Sequence, residues 1–212
     1  MNKLFSKPVL LVLLLIAVLT IAAVWLRPIT PRLPPVELEN VLLGEPRPLQ
    51  PFTLIDQEGA PLTQEQLRGH WTLLFFGYTH CPDICPTTLT VLKGAVQRLA
   101  SDPALAASTR TLFVSVDPQR DTPAQLKQYI SYFNPTFIAA TGSKEEIDNL
   151  TQQVGAIYMF EGDTRRDDYI VNHSATILVI DPQGRFYARL NAPHSASGIA
   201  DAYRRIRAFH DH

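Results

Sequence analysis

The chain has 212 residues, with 19 Lys or Arg against 20 Asp or Glu and a formal net charge of −1. That length holds one domain with a sizeable core and an anchoring segment besides. No block of like charge runs far, which excludes a nucleic-acid partner, because phosphate binding needs a basic stripe. Arg204, Arg205 and Arg207 form a local cluster on an amphipathic stretch and read as a solvated face.

From the N-terminus, residues 1–7 read as a cytoplasmic tail carrying Lys3 and Lys7. Residues 8–26 (PVLLVLLLIAVLTIAAVWL) form an apolar run ending near Trp25. At about 1.5 Å per residue a helix there spans about 28 Å, which predicts one transmembrane anchor. A cleaved signal peptide fits less well, since no small-x-small site follows the run. The short tail and the absence of an Arg- and Ser-rich presequence predict a bacterial inner (cell) membrane, with the domain on the periplasmic side. Residues 27–51 carry seven prolines. Such a stretch favours extended polyproline geometry and is expected as a semi-rigid stalk.

Residues 52–212 read as one α/β domain. A short strand is expected at Phe52–Ile55, then a turn at Asp56–Gly59. Thr63 and Gln66 make a capping-box pattern. Trp71–Phe76 (WTLLFF) is mostly apolar, as for a strand buried on both faces. A helix follows from Pro86 to about Ala100, with Leu89, Leu92, Val96 and Leu99 on one face. Thr111–Val116 is a second buried strand, and Thr122-Pro123 opens a helix with Leu126, Tyr129, Ile130 and Phe133 facing inward. A strand at Phe137–Ala140 precedes a helix opened by Ser143 and Glu146 as a capping box. Ala156–Phe160, Ala175–Ile180 and Arg185–Leu190 are strand candidates, the last two joined by the hairpin signal Asp181-Pro-Gln-Gly184. A final helix runs from Ser195 to about Phe209. A strand, a cysteine pair, a helix and a later hairpin form the layout of a thioredoxin-like domain, with a central mixed sheet flanked by helices.

The chain has two cysteines, Cys81 and Cys85. A bridge between them would close almost no loop, so a purely stabilising disulfide is a weak explanation. Pro86 predicts an extended Cys85 at the helix N-cap, with both sulfurs near the positive end of the helix dipole. That position favours thiolate, the form needed for metal ligation or disulfide exchange. Three residues separate the pair, one more than in thioredoxin-type redox motifs. Two soft thiolates without a second cysteine pair suit Cu(I) better than structural zinc.

A third donor must then come from six histidines. His70 reads as a surface turn residue, His194 as part of a loop, and His210 and His212 as terminal. The ring of His80 is expected to point away from the second sulfur. His173 stands before the strand ATILVI, where thioredoxin-type enzymes place a substrate-holding proline. On position alone it fits ligation and a partly exposed loop histidine equally well.

Three blocks, GYTHCPDICPTTL at 77–89, SVDPQRDTP at 115–123 and VNHSATILVIDPQG at 171–184, together resemble the Sco/SenC family. The resemblance covers residues 50–209. It implies a copper chaperone that helps deliver copper to the dinuclear site of cytochrome c oxidase subunit II. The alternative it implies is a thiol–disulfide oxidoreductase that keeps that site's cysteines reduced. Cys81, Cys85 and His173 carry over as ligands of one copper ion, as Cu(I) or Cu(II), and Cys81 with Cys85 as a redox-active disulfide. Implied partners are subunit II, other copper chaperones or thiol reductants, and the membrane through the N-terminal helix. Asp117 and Asp121 match acidic positions of the second block without being assigned as ligands. No catalytic residue is assigned, and a peroxidase or redox sensor ranks well behind both readings.

Overall fold

The computed structural model describes residues 7–25, 33–166 and 168–211. The chain divides into two compact units, Met1–Leu33 and Pro34–His212. In the first unit, helix α1 spans Lys7–Trp25. Among the described residues no helix is long and apolar enough to cross a membrane. The expected transmembrane helix at 8–26 is corrected accordingly: the described helix, Lys7–Trp25, does not qualify as a membrane span.

The second unit begins earlier than residue 52. Leu38, in a 3₁₀ turn at Val36–Leu38, and Leu49 are both buried. Between them, β1 (Leu42–Pro48) pairs with the strand at 185–190. Much of the expected stalk is thus an edge strand. Pro46 and Pro48 are tolerated because an edge strand has one side that needs no N–H donors, and the register shifts between Leu42 and Arg47.

The remaining elements follow in order: β2 (Thr53–Asp56), β3 (Pro61–Thr63), α2 (Gln64–Leu67), β4 (Trp71–Gly77), α3 (Ile84–Leu99), α4 (Pro103–Ser108) and β5 (Thr109–Ser115). Then come α5 (Pro123–Phe133), β6 (Ile138–Thr141), α6 (Lys144–Val154), β7 (Tyr158–Glu161), β8 (Ile170–His173), β9 (Ile177–Ile180), β10 (Arg185–Leu190) and α7 (Ala196–His210). Eight strands form one sheet in the order β1-β10-β9-β4-β5-β6-β2-β3, and β7 and β8 form a separate antiparallel pair. β4, β5 and β6 run parallel through helical crossovers, and the outer strands pair antiparallel. This is an α/β, thioredoxin-like arrangement with a central mixed sheet.

β4 sits mid-sheet between β9 and β5, and every one of its residues is buried. Leu73, Leu74, Phe75 and Phe76 lie at 0–2% exposure, each such side chain contributing about 1.5–3 kcal/mol of apolar burial. Helix α3 buries Leu89, Leu92, Ala95 and Leu99, and lies against α7. Val96 is only half-buried, and Ala95 takes its expected inward place. Gly184 takes φ 76° and closes the β9–β10 turn, as its place in the hairpin signal requires.

Three local expectations change. Helix α3 starts at Ile84, so Cys85 is helical and not extended. Pro86 is accommodated because first-turn N–H groups have no intrahelical partner to lose. Ser143 caps α6 by accepting from Glu146 N, but the Glu146 carboxylate accepts from Thr53 N at 3.0 Å and completes no reciprocal box. The segment containing Asn172 and His173 is the strand β8, not a loop.

Candidate metal centre

The site forms where β4 ends. Cys81 lies in the turn after β4, Cys85 in the first turn of α3, and His173 at the last position of β8. Cys85 Sγ is 3.1 Å from His173 Nε2, and Cys81 Sγ is 4.0 Å from the same atom. Among the described residues this is the one group of three or more His, Cys, Asp or Glu suited to hold a metal, its donor atoms within 4.8 Å of one another. Three donors bonded to one first-row ion at about 2.0–2.3 Å lie roughly 3.5–4 Å apart. The spacing therefore fits a single ion after only small side-chain adjustment.

Gly77 makes this geometry possible. A Cβ built there would stand 2.6 Å from Cys85 Sγ and 2.7 Å from a ring carbon of Phe113. Both cysteines are free thiols, Cys85 fully buried and Cys81 partly exposed. The N-cap residue Asp83 makes no side-chain cap, and the N–H of Cys85 donates to Cys81 Sγ at 3.4 Å. The sulfur does the capping.

That arrangement splits the two acidities. The Cys81 thiol is lowered to about 3, first by its hydrogen bond with the Cys85 thiol and then by His173 and backbone N–H groups, with burial opposing. Cys85 is pushed the other way, by sharing its proton with Cys81 and by burial. The metal-free pair is one exposed-side thiolate hydrogen-bonded by one buried thiol.

His173 is oriented for ligation. Its Nδ1 lies 3.2 Å from the Ser174 carbonyl oxygen, which can only accept. With a metal between the sulfurs, that bond would keep the ring proton on Nδ1 and leave Nε2 as the ligating atom. Phe75 and Tyr78 meet the ring edge-on at centroid distances of 5.8 and 6.0 Å.

Neither aspartate joins the donor set; each braces one half of the site. Buried Asp121 accepts from Thr79 N at 2.9 Å, Thr79 Oγ1 at 2.6 Å and Ser115 Oγ at 2.5 Å, which ties down the cysteine loop. Burial holds its carboxyl above the usual carboxylate range, against the pull of those donors. Asp117 accepts from Tyr169 Oη and from Arg120 Nε, both at 2.6 Å. Arg120 also donates to the Tyr169 carbonyl at 3.0 Å, with its guanidinium 3.5 Å from the Tyr169 ring centroid. Tyr169 directly precedes β8, so this cluster fixes the strand that carries His173.

The other histidines lie apart from the donor cluster. His80 Nδ1 contacts Thr79 Oγ1 at 3.0 Å, His194 Nε2 bonds the Ala175 carbonyl at 2.6 Å, and His210 packs on Trp71. His70 is half-buried, and His212 lies outside the described residues. The supporting residues Phe75, Tyr78, Arg120 and Tyr169 escaped the sequence reading. Only the alternation Tyr169, Val171, His173 could have hinted that the segment is a strand.

Residues 43–208 match the family model described as SCO1/SenC. The chain is 37% identical over 160 residues to "Protein SCO2 homolog, mitochondrial" of Mus musculus, covering 75% of this chain and 62% of that protein. The match therefore spans about three fifths of that relative's length. The crystal structure of Arabidopsis thaliana ScoI with copper bound superposes with a TM-score of 0.69 at 35% identity, covering 75% of this chain and 98% of that one. Bradyrhizobium japonicum ScoI with copper bound gives a TM-score of 0.65 at 36% identity, covering 74% and 98%. The family match over most of the folded unit, together with the two-thiol, one-imidazole site, places this chain in the SCO1/SenC family.

Proposed function

We propose that this chain is a copper-binding protein of cytochrome c oxidase assembly. It holds one copper ion between Cys81, Cys85 and His173 and passes it to the dinuclear site of subunit II. The observation that carries this reading is the convergence of two sulfurs and one imidazole nitrogen, from two separate segments, within 4.8 Å. Soft thiolates favour Cu(I), and the imidazole also suits Cu(II). The copper-bound ScoI structures are of proteins similar over the same region. Transfer is a ligand exchange in which each Cu–S bond to the chain is replaced by one to the recipient. Copper keeps its oxidation state, and the recipient thiol's proton passes to the departing thiolate.

Anaerobic Cu(I) titration of the reduced protein tests this. The expected result is one ion per chain, lost on Cys81→Ala and on oxidation of the pair. Less than one ion, or unchanged affinity after Cys81→Ala, overturns it.

A second reading has its own support. A thiolate at Cys81 beside a neutral thiol at Cys85 is the asymmetry thiol–disulfide exchange uses. In that reading the pair reduces the oxidase subunit's cysteines. Oxidase assembly surviving His173→Ala but not Cys81→Ala selects it.

A further inference from the structure

Helix α5 lies against α3 and carries Tyr129 toward the metal centre from the core side. The Tyr129 ring packs on Phe113 and Phe133, with centroids at 5.8 and 5.2 Å. Phe113 in turn borders the site: one of its ring carbons and the Cys85 sulfur flank the same point above Gly77, at 2.7 and 2.6 Å from where a Cβ would stand. Contacts thus run from the Cys85 sulfur through Phe113 to Tyr129. The Tyr129 hydroxyl is covered from solvent and hydrogen-bonds to nothing among the described residues. A buried donor left unpaired is costly to a fold, and such exceptions call for an explanation. Burial, and then the nearness of Cys85, Cys81 and Asp121, push its pKa up, so the hydroxyl keeps its proton beside three acidic groups.

Two of the three are already served. Asp121 accepts from Thr79 N, Thr79 Oγ1 and Ser115 Oγ. Cys81 accepts from Cys85 N and is partly open to water. Cys85 differs, because it is 0% exposed. A metal ion replaces the proton of a thiol it binds. Copper therefore turns Cys85 into a thiolate sealed from water, and a buried charged acceptor needs donors. The backbone N–H of Tyr78 supplies one. The Tyr129 hydroxyl is a second buried donor nearby, without a partner of its own. Copper entry also opens the Cys85–His173 separation from 3.1 Å to the roughly 3.5–4 Å of shared ligation. The sulfur is then released from its close contact with the imidazole.

We propose that Tyr129 is a positioning residue of the copper centre: on metal loading its hydroxyl donates to the Cys85 sulfur, which holds that thiolate in place and biases the site toward Cu(I). A hydrogen bond draws electron density from a coordinated thiolate, and hydrogen bonding around a cysteine sulfur tunes a copper potential. Cu(II) leans more on that density, so it loses more than Cu(I). The inference rests on the copper-binding reading and deepens it by naming a residue, outside the three ligands, that sets which oxidation state the site prefers.

The test compares the full wild-type chain with Tyr129→Phe and with Tyr132→Phe, a control on the same helix at a side chain 83% exposed. Both variants keep the three ligands and should take up one copper ion. The Cu(II)/Cu(I) potential of Tyr129→Phe should fall by about 59 mV, the equivalent of a tenfold loss of preference for Cu(I). Its sulfur-to-Cu(II) charge-transfer band should move to longer wavelength. Without metal, Tyr129→Phe should melt at or above the wild-type temperature, because an unpaired hydroxyl is removed and the ring kept. A merely structural tyrosine would lower that temperature and leave potential and band in place. In the Cu(I)-loaded wild-type chain, proton NMR should show a slowly exchanging Tyr129 hydroxyl with a cross-peak to the Cys85 β-protons. An unchanged potential and band in Tyr129→Phe, an equal shift in Tyr132→Phe, or absence of that cross-peak overturns the proposal. A wild-type chain that takes up no copper would instead defeat the copper reading on which it rests.

Discussion

The backbone N–H of Cys85 donates to the sulfur of Cys81 at 3.4 Å, so one cysteine of the pair caps the helix that carries the other. The pair is coupled before any metal arrives, and the reactivity of the two thiols should differ sharply.

Alkylation of the reduced, metal-free protein should modify Cys81 first. With its thiol lowered to about 3, Cys81 is fully thiolate throughout pH 5–8. Its reaction rate with iodoacetamide should be nearly flat over that range, and Cys85 should stay protected. Peptide mapping by mass spectrometry at each pH checks this. A Cys81 rate rising about tenfold per pH unit, as for an ordinary thiol near 8.5, would contradict the assignment.

Copper binding at pH 7 should release about one proton per Cu(I), because ligands must be deprotonated and only the Cys85 thiol still carries its proton. Two ordinary thiols would release about two. Titration in weakly buffered, anaerobic solution with a pH indicator distinguishes the cases.

Gly77→Ala should damage the site and the fold together. The added Cβ meets Cys85 Sγ at 2.6 Å and Phe113 at 2.7 Å, both inside the core. Overpacking of this kind costs about 1–3 kcal/mol. Denaturant melts should show that loss, and copper affinity should fall because the Cys85 sulfur is displaced from His173.

Tyr169→Phe should act at a distance on the imidazole. It removes the hydroxyl donor to Asp117 and leaves the Arg120 contact to that carboxylate in place. A stability loss of about 1–3 kcal/mol is expected for the buried acceptor left short of a partner. Cu(II) affinity should fall more than Cu(I) affinity, since the loosened strand ends in His173 and not in a thiolate. Competition against chelators of known affinity for each oxidation state reads the difference.

Much of this was legible in the chain itself. WTLLFF predicted a strand buried on both faces, and β4 is that strand. The Thr122-Pro123 start and the Asp181–Gly184 turn stand where their chemistry placed them. The rule for a residue preceding proline mis-set Cys85, because α3 begins at Ile84, and Pro86 within that first turn costs no intrahelical N–H bond. Proline count suggested a stalk, whereas burial of Leu38 and Leu49 and pairing with β10 make Leu42–Pro48 an edge strand. An apolar run near membrane length suggested a span, and the helix it forms does not reach one.

The sequence alone determined the site's two thiols, because their four-residue spacing and the helix behind them are local properties that neighbouring residues dictate. On position alone it left His173 undecided between ligand and loop residue, and only the family resemblance named it a ligand. Only the tertiary structure brought that imidazole to the sulfurs, through contacts that join residues 52 positions apart, Tyr169 to Asp117, and strands with no shared sequence pattern. Such long-range positions depend on how the whole core packs, and no local window of the chain records them.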